Sequence, residues 1–192
     1  MAPRPLRLLA VLILLAAVAL VTPRVMTDPD ALTNLAVGRH ISQNGGLTAD
    51  DPFTFSTLGR GWYNPEWLGS LIWFELFELQ EEAALQGGKL LLLFCALLLL
   101  FQLCLRRGAA PWLTLALLLL FLPGTAWRFT LRNHLHALWL IPLYGLILEQ
   151  VRRAPSAHGR RRWLLTLLPV AVLWANLHAS FVVGWLLLAA AA

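Results

Sequence analysis

The chain has 192 residues, of which 59% are apolar and 13% are charged, and its mean hydropathy is +0.69. Ordinary soluble domains contain roughly 45–50% apolar residues, so this composition is typical of an integral membrane protein. The formal net charge of +5 comes from short arginine clusters at the ends of apolar runs, a distribution that orients membrane helices. No basic stripe with interleaved aromatic residues is present, so nucleic acid is not a predicted partner.

The first apolar run, from Leu8 to Val21, follows Arg4 and Arg7. It is short for a membrane span and matches the core of a signal peptide, so a cleaved signal and a retained helix are both open. No convincing small-residue cleavage site follows, and we favour a retained helix over about residues 6–26. The two arginines then predict a cytoplasmic N-terminus, with Asp28 on the outer side.

A polar loop over residues 27–88 follows, and it contains nine of the ten acidic residues of the chain. We expect this loop to be extracytoplasmic and to carry the chemistry. Asp28 before Pro29 predicts a helix start, because the carboxylate caps free N–H groups and proline is tolerated in the first turn. This helix is predicted over about residues 29–43. Asn64-Pro65-Glu66 repeats the arrangement and predicts a second helix over about residues 65–82.

The second loop helix carries aromatic residues at helical spacing. One face has Trp67, Leu71, Phe74 and Glu78. Since indole rings prefer the headgroup level, we expect an amphipathic helix that lies in the membrane interface, including Trp73. The alternative is a helix that packs on its own domain.

The remaining apolar runs predict four more spans, at about 89–105, 111–127, 135–149 and 163–182, and the last span continues to 192 as an alternative. The most basic loop, between Arg152 and Arg162, is predicted inside. The predicted fold is therefore all-α, a polytopic membrane helix bundle forming a single transmembrane domain with a long outward first loop. The sequence shows no internal repeat, which disfavours a transporter.

Three groups of polar residues are candidates for function. Asp28 and Asp30 are close enough to share a divalent cation or to act in acid–base catalysis, and such acids are also good helix caps. The second group has a basic residue or histidine at every fourth position, Arg128, Arg132 and His136, with Asn133 and His134 beside them. On one helical face such a cluster would hold a phosphate, and the alternative is arginine that extends to the headgroups.

Asn176 and His178 form the third group, in the outer half of the fifth predicted span. Such a pair is either an interhelical hydrogen-bond clasp or the floor of a water-filled cavity that opens outward. By the span count, all three groups fall at or just below the outer membrane surface. We therefore expect Asp28 and Asp30 to face a cavity whose other wall carries Arg128, Arg132 and His178.

The order of several short motifs resembles bacterial membrane proteins similar to GT-C glycosyltransferases. The motifs are Asp-x-Asp at 28–30, Leu-Ala-Val-Gly-Arg-His-Ile-Ser-Gln-Asn-Gly at 35–45, Asp-Pro-Phe-Thr-Phe-Ser-Thr at 51–57, Gly-Arg-Gly-Trp at 59–62, Glu-Trp-Leu at 66–68, Arg-Phe-Thr-Leu-Arg-Asn-His at 128–134 and Trp-Ala-Asn-Leu-His-Ala-Ser-Phe at 174–181. The resemblance implies a mannosyltransferase-like enzyme that uses a polyprenyl-phosphate sugar donor at the outer face of the plasma membrane. It implies that Asp28 or Asp30 acts as general base or metal ligand.

On this resemblance, membrane lipid and the sugar donor are the expected partners. The residues predicted to bind substrate are Glu66, Arg128, Arg132, His134, Asn176 and His178. GT-C enzymes have more than five spans, so we also expect that the chain is an N-terminal fragment. The alternatives are a truncated inactive piece and a non-catalytic lipid-binding or assembly subunit.

Overall fold

A computed structural model describes residues 4–22, 28–54, 56 and 61–191, with side chains from residue 8 onward. This part of the chain is helical and contains no β-strand, which confirms the all-α prediction. The α-helices are α1 (Arg4–Val21), α2 (Pro29–Asn44), α3 (Trp67–Arg106), α4 (Pro111–Thr125), α5 (Leu135–Arg153), α6 (Ala157–Leu177) and α7 (Val182–Ala191). Short 3-10 turns, Ala126–Arg128 and Ala179–Phe181, follow α4 and α6.

Helix α1 has a buried stripe at every fourth residue, formed by Ala10, Leu14 and Val18. Such spacing puts the three side chains on one helical face. Ala10 and Leu14 pack in one apolar cluster with Phe101 of α3 and Leu115 of α4. The rest of the predicted first span, residues 23–26, lies outside the described residues.

Helix α2 starts and ends at the expected residues. The side chain of Asp28 accepts the N–H of Asp30 at 3.0 Å, and Pro29 occupies the first turn. Gly45 ends the helix with a φ of 70°, a conformation that glycine adopts without a steric penalty. Helix α2 lies very close to α3 at Gly38, where an added Cβ would approach the backbone oxygen of Ser70 to 2.2 Å.

Helix α3 consists of two parts, because Gln80 and Glu81 have non-helical backbone angles and Glu81 has a φ of 47°. A Cβ on Gly88 would lie 2.8 Å from Cδ1 of Leu76. A straight helix would separate residues 76 and 88 by about 18 Å, so the two parts are sharply bent against each other. The break falls within the predicted second loop helix, close to its expected end at residue 82.

The expected interfacial position of Trp73 is wrong. Its side chain is fully buried, and its ring packs against that of His136 in α5 with centroids 5.3 Å apart. The apolar face of the 67–79 part of α3 is covered by α2 and α5. This segment therefore packs on the protein itself, which was the alternative left open by the sequence.

Two helices are long and apolar enough to cross a membrane: Trp67–Arg106, with a mean hydropathy of 2.4, and Pro111–Arg128, with 1.2. In the described part of the chain, the helices at the other three predicted spans are shorter or more polar. The predicted fifth span is also not continuous, because α6 ends at Leu177. His178 has extended backbone angles and caps the following 3-10 turn, so the chain changes direction before α7.

Candidate functional site

A cavity of about 500 Å³, called the polar cavity below, lies where the starts of α2 and α3 meet the segment after α4 and the end of α6. Seven of its lining residues are predicted site residues: Asp28, Asp30, Glu66, Arg128, Arg132, His134 and His178. Asn133, which also lines the cavity, belongs to the second candidate group of the sequence but was not a predicted substrate ligand. The sequence did not identify the remaining lining residues: Thr33, Asn34, Trp127 and Thr130. The expected grouping of Asp28 and Asp30 with Arg128, Arg132 and His178 is therefore present. The chemical roles of these residues stay predictions.

Asp28 is the anchor of this cavity. Its carboxylate accepts hydrogen bonds from Nε and Nη2 of Arg132, at 2.5 and 2.9 Å, and it also caps α2. The hydrogen bond from Arg132 holds the pKa of Asp28 below its ordinary value, although burial of the carboxylate opposes this effect. Asp28 is therefore stabilised as an anion, and its hydrogen bonds with Arg132 connect the 129–134 segment to α2.

Asp30 lies on the other side of the same guanidinium, with its Oδ2 2.9 Å from Nη1 of Arg132. Its side chain is 57% exposed, against 6% for Asp28. Arg132 therefore supplies the positive charge between the two carboxylates, which is the position where the expected divalent cation would bind. Among the described residues, no group of three or more His, Cys, Asp or Glu side chains is arranged to hold a metal ion.

The floor of the cavity is a network of amides. Nδ2 of Asn133 donates to Oδ1 of Asn34 at 3.1 Å and lies 3.2 Å from the hydroxyl of Ser70. Gly69 leaves room for this network, since a Cβ there would come within 2.8 Å of Oδ1 of Asn133. The sequence offered one signal for Asn34: it follows Asp30 by four residues and so shares its face of α2.

Arg128, Arg132 and His136 do not share a helical face, and this prediction is wrong. Helix α4 ends at Thr125, and the chain is not α-helical again until α5 begins at Leu135. His136 is buried and does not line the cavity. A spacing of four residues puts side chains on one face only within a continuous helix, and the helix is interrupted here.

Arg128 is the cation of the cavity that remains available. Its guanidinium lies over the Trp127 ring at 4.9 Å, and no carboxylate in the described part of the chain forms an ion pair with it. Nε2 of His134 donates to the backbone oxygen of Arg128 at 2.8 Å. Burial lowers the pKa of His134, so this imidazole is neutral at pH 7 and holds the backbone at Arg128 in place.

Asn176 and His178 have different surroundings. Nε2 of His178 lies 3.4 Å from Oε1 of Glu66, and both residues line the polar cavity. Asn176 does not line it, because its Oδ1 accepts from Nε1 of Trp67 at 2.7 Å and its Nδ2 donates to the oxygen of Val172. The clasp interpretation is therefore correct for Asn176. His178 lines a cavity, and the outward opening of that cavity stays a prediction.

A second cavity of about 640 Å³, called the apolar groove below, lies between the C-terminal part of α3, α4 and α5. Its walls are mostly apolar side chains, including Leu97, Leu117 and Leu138. At one end it is lined by Arg128 and His134, which also line the polar cavity. The two compartments therefore adjoin at these residues.

No protein-family model, no curated protein and no solved structure matches this chain. The resemblance to GT-C glycosyltransferases therefore stays a prediction.

Proposed function

We propose that the protein binds a sugar linked to a polyprenyl phosphate and transfers the sugar to an acceptor hydroxyl. The observation that carries this proposal is that Arg128 and His134 line both the polar cavity and the apolar groove. A lipid-phosphate sugar needs one compartment for its hydrocarbon chain and one for its polar parts. The phosphate would bind at the junction, with the chain in the groove and the sugar in the cavity.

The groove would determine where the hydrocarbon chain of the lipid lies, and it would contribute little to the affinity for the lipid. From Leu113 to Thr125, its wall on α4 extends about 18 Å. A hydrocarbon chain that leaves the bilayer for this groove gains little hydrophobic free energy, because lipid tails are as apolar as leucine. Affinity and specificity must therefore come from the phosphate and the sugar.

Arg128 is the best candidate for the phosphate, because charge-assisted hydrogen bonds from arginine to phosphate are strong and Arg128 has no competing carboxylate in the described residues. Arg132 is already shared by Asp28 and Asp30 and contributes less net charge. As the sugar leaves, negative charge grows on the phosphate oxygen, and a fixed cation lowers the energy of that state.

In this proposal the chain crosses the plasma membrane several times, with a cytoplasmic N-terminus and an outward polar cavity. The two apolar helices long enough to span and the basic residues between Arg152 and Arg162 support it. Single-cysteine labelling at Ser56 and Ser156, in a variant without Cys95 and Cys104, would test it. Labelling from outside should occur only at Ser56, and labelling only at Ser156 would reverse the topology.

A non-catalytic lipid-phosphate binding protein is the second candidate. It is favoured by the mutual neutralisation of Asp28 and Arg132, because a carboxylate held by a guanidinium is a poor proton acceptor. Binding of the donor without transfer would support this candidate.

Native mass spectrometry of the full chain in nanodiscs with added polyprenyl phosphate tests the binding. Arg128→Gln should weaken binding about tenfold, since a charged hydrogen bond contributes about 1.5–3 kcal/mol. Leu117→Trp should fill the groove and also weaken binding. Leu120→Trp is the matched control on the same helix, because Leu120 is 73% exposed and does not line the groove.

Polyprenol and inorganic phosphate separate the two halves of the ligand, and each alone should bind more weakly than polyprenyl phosphate. Equal binding of polyprenyl phosphate by Arg128→Gln, Leu117→Trp and the unaltered protein would contradict the proposed site.

A further inference from the structure

Glu66 and His178 form a pair in the lining of the polar cavity, which Arg132 also lines. Glu66 lies at the start of α3, where its N–H is held by the side chain of Asn64 at 2.9 Å. His178 lies at the break after α6. Their facing atoms, Oε1 of Glu66 and Nε2 of His178, are 3.4 Å apart.

The hydrogen bonds around His178 determine which ring nitrogen carries the proton. Nδ1 accepts the backbone N–H of Ser180 at 3.0 Å, and an atom that accepts a hydrogen bond carries no proton. The hydroxyl of Ser180 lies 2.7 Å from the same nitrogen and accepts the indole N–H of Trp174 at 3.0 Å. Its own proton is therefore free to point at Nδ1. The proton of a neutral His178 is then on Nε2 and faces Glu66.

Glu66 differs from Asp28 in the groups that hold it. Its Oε1 accepts the backbone N–H of Ala179 at 3.2 Å and faces the imidazole. In the part of the chain that the structure describes, no group bonds to its Oε2. Neutral donors orient a carboxylate without cancelling its charge, whereas Arg132 both orients and neutralises Asp28.

We infer that Glu66 is the proton acceptor of the polar cavity and that His178, held in its Nε2–H form by Ser180, is its positioning residue. This inference rests on the proposed transfer reaction. The hydroxyl proton of the acceptor moves to Glu66 as the acceptor oxygen bonds to the anomeric carbon of the sugar. The bond from that carbon to the phosphate oxygen breaks, and its electron pair stays on the lipid phosphate, next to Arg128.

Imidazole ¹⁵N NMR of the full chain in nanodiscs tests the positioning without any substrate. His178→Gln assigns the resonances. In the unaltered protein and in Ser180→Thr, Nδ1 of His178 should be unprotonated and Nε2 protonated. In Ser180→Ala the backbone N–H of residue 180 still donates to Nδ1, so Nδ1 should stay unprotonated while its resonance shifts with the loss of the hydroxyl hydrogen bond. A protonated Nδ1 in the unaltered protein would overturn the inference.

Turnover of polyprenyl-phosphate hexoses and pentoses, with an alkyl glycoside as acceptor, tests the role of Glu66. Glu66→Gln should lower kcat about 100-fold or more, in the range expected for general-base catalysis, with little change in the KM of the donor. Ser180→Ala should lower kcat by less, and Ser180→Thr should restore it. Glu78→Gln, an exposed acid on the same helix, is the control and should have no effect.

Full turnover by Glu66→Gln would overturn the inference while leaving the proposed function in place. Bound donor without turnover in the unaltered protein would overturn the proposed function and, with it, the role given to Glu66. The NMR result would then still decide whether Ser180 sets the proton position of His178.

Discussion

The Glu149 cluster and the polar cavity are both built from carboxylates and arginines, but in opposite proportions. In the Glu149 cluster one carboxylate receives three arginines, Arg107, Arg152 and Arg153, at 2.5–2.7 Å. In the polar cavity one arginine, Arg132, is shared by two carboxylates. The side chain of Glu149 is 0% exposed and lines neither cavity.

The difference separates a structural joint from the proposed binding site. The carboxylate of Glu149 is saturated by its partners and joins the end of α5 to the residue after α3. In the polar cavity, among the described residues, Arg128 has no ion-pair partner and Oε2 of Glu66 has no hydrogen-bond partner. A buried charge that is fully paired can act only in the structure, whereas a partly paired charge that lines a cavity can also bind a ligand.

The largest expected effect is on the Glu149 cluster. Arg152→Ala with Arg153→Ala would leave a buried carboxylate with only Arg107, and we expect a loss of about 3 kcal/mol in the free energy of unfolding. Adding Glu149→Met removes the buried charge and should recover most of the loss, because apolar replacements of buried ion pairs are often neutral. Denaturation midpoints in detergent measure both, and no recovery would contradict the structural role.

The frame of the polar cavity depends on the close approach of α2 and α3. Gly38→Ala would press a methyl group into the backbone oxygen of Ser70, and we expect a loss of about 2–3 kcal/mol from overpacking. Gly46→Ala is the control, because no atom lies within 4 Å of its added Cβ. Equal unfolding midpoints for the two variants would show that the helices are not in close contact.

Asp28→Asn keeps the helix cap but removes the charge that pairs with Arg132. We expect a loss of about 1 kcal/mol, since Arg132 is 45% exposed and solvent screens the pair. The pKa of Asp28 is lowered in the folded protein, so the contribution is present above about pH 4 and lost as the pH falls through the folded-state pKa. The difference from the unaltered protein should be constant between about pH 5 and 8. A difference that disappears by pH 6 would contradict the lowered pKa.

The smallest effect on stability is expected for Arg128→Gln. The side chain is exposed and unpaired in the described part of the chain, so the free energy of unfolding should change by no more than about 0.5 kcal/mol. The same variant should lose lipid-phosphate binding. A large loss of stability would show that Arg128 has a structural role, like the arginines that pair with Glu149.

Local sequence signals predicted much of the frame. The cap at Asp28, the stop at Gly45 and the separation of the 67–79 helix from the following span all follow from short-range chemistry. The grouping of acids with Arg128, Arg132 and His178 followed from counting spans to one membrane surface. These predictions depend on chain length and on residues close in sequence.

The remaining features depend on contacts between distant residues, which one sequence does not encode locally. Arg107 reaches Glu149 from another helix, and Trp67 binds Asn176 across more than a hundred positions. The break at His178 and the interruption after Thr125 were not predicted, because continuous helices were assumed through these residues. Trp73 was misplaced because an amphipathic pattern does not reveal whether lipid or protein covers it.

Photo-crosslinking with a polyprenyl phosphate that carries a diazirine in its first isoprene unit would locate the lipid next to the proposed phosphate site. We expect labels on groove residues such as Leu117 and Leu138, and we expect Arg128→Gln to reduce these labels strongly. Leu120, which does not line the groove, should not be labelled. Labels spread evenly over the lipid-facing side of α4, Leu120 included, and unchanged by Arg128→Gln, would contradict a lipid-phosphate site at the junction of the two cavities.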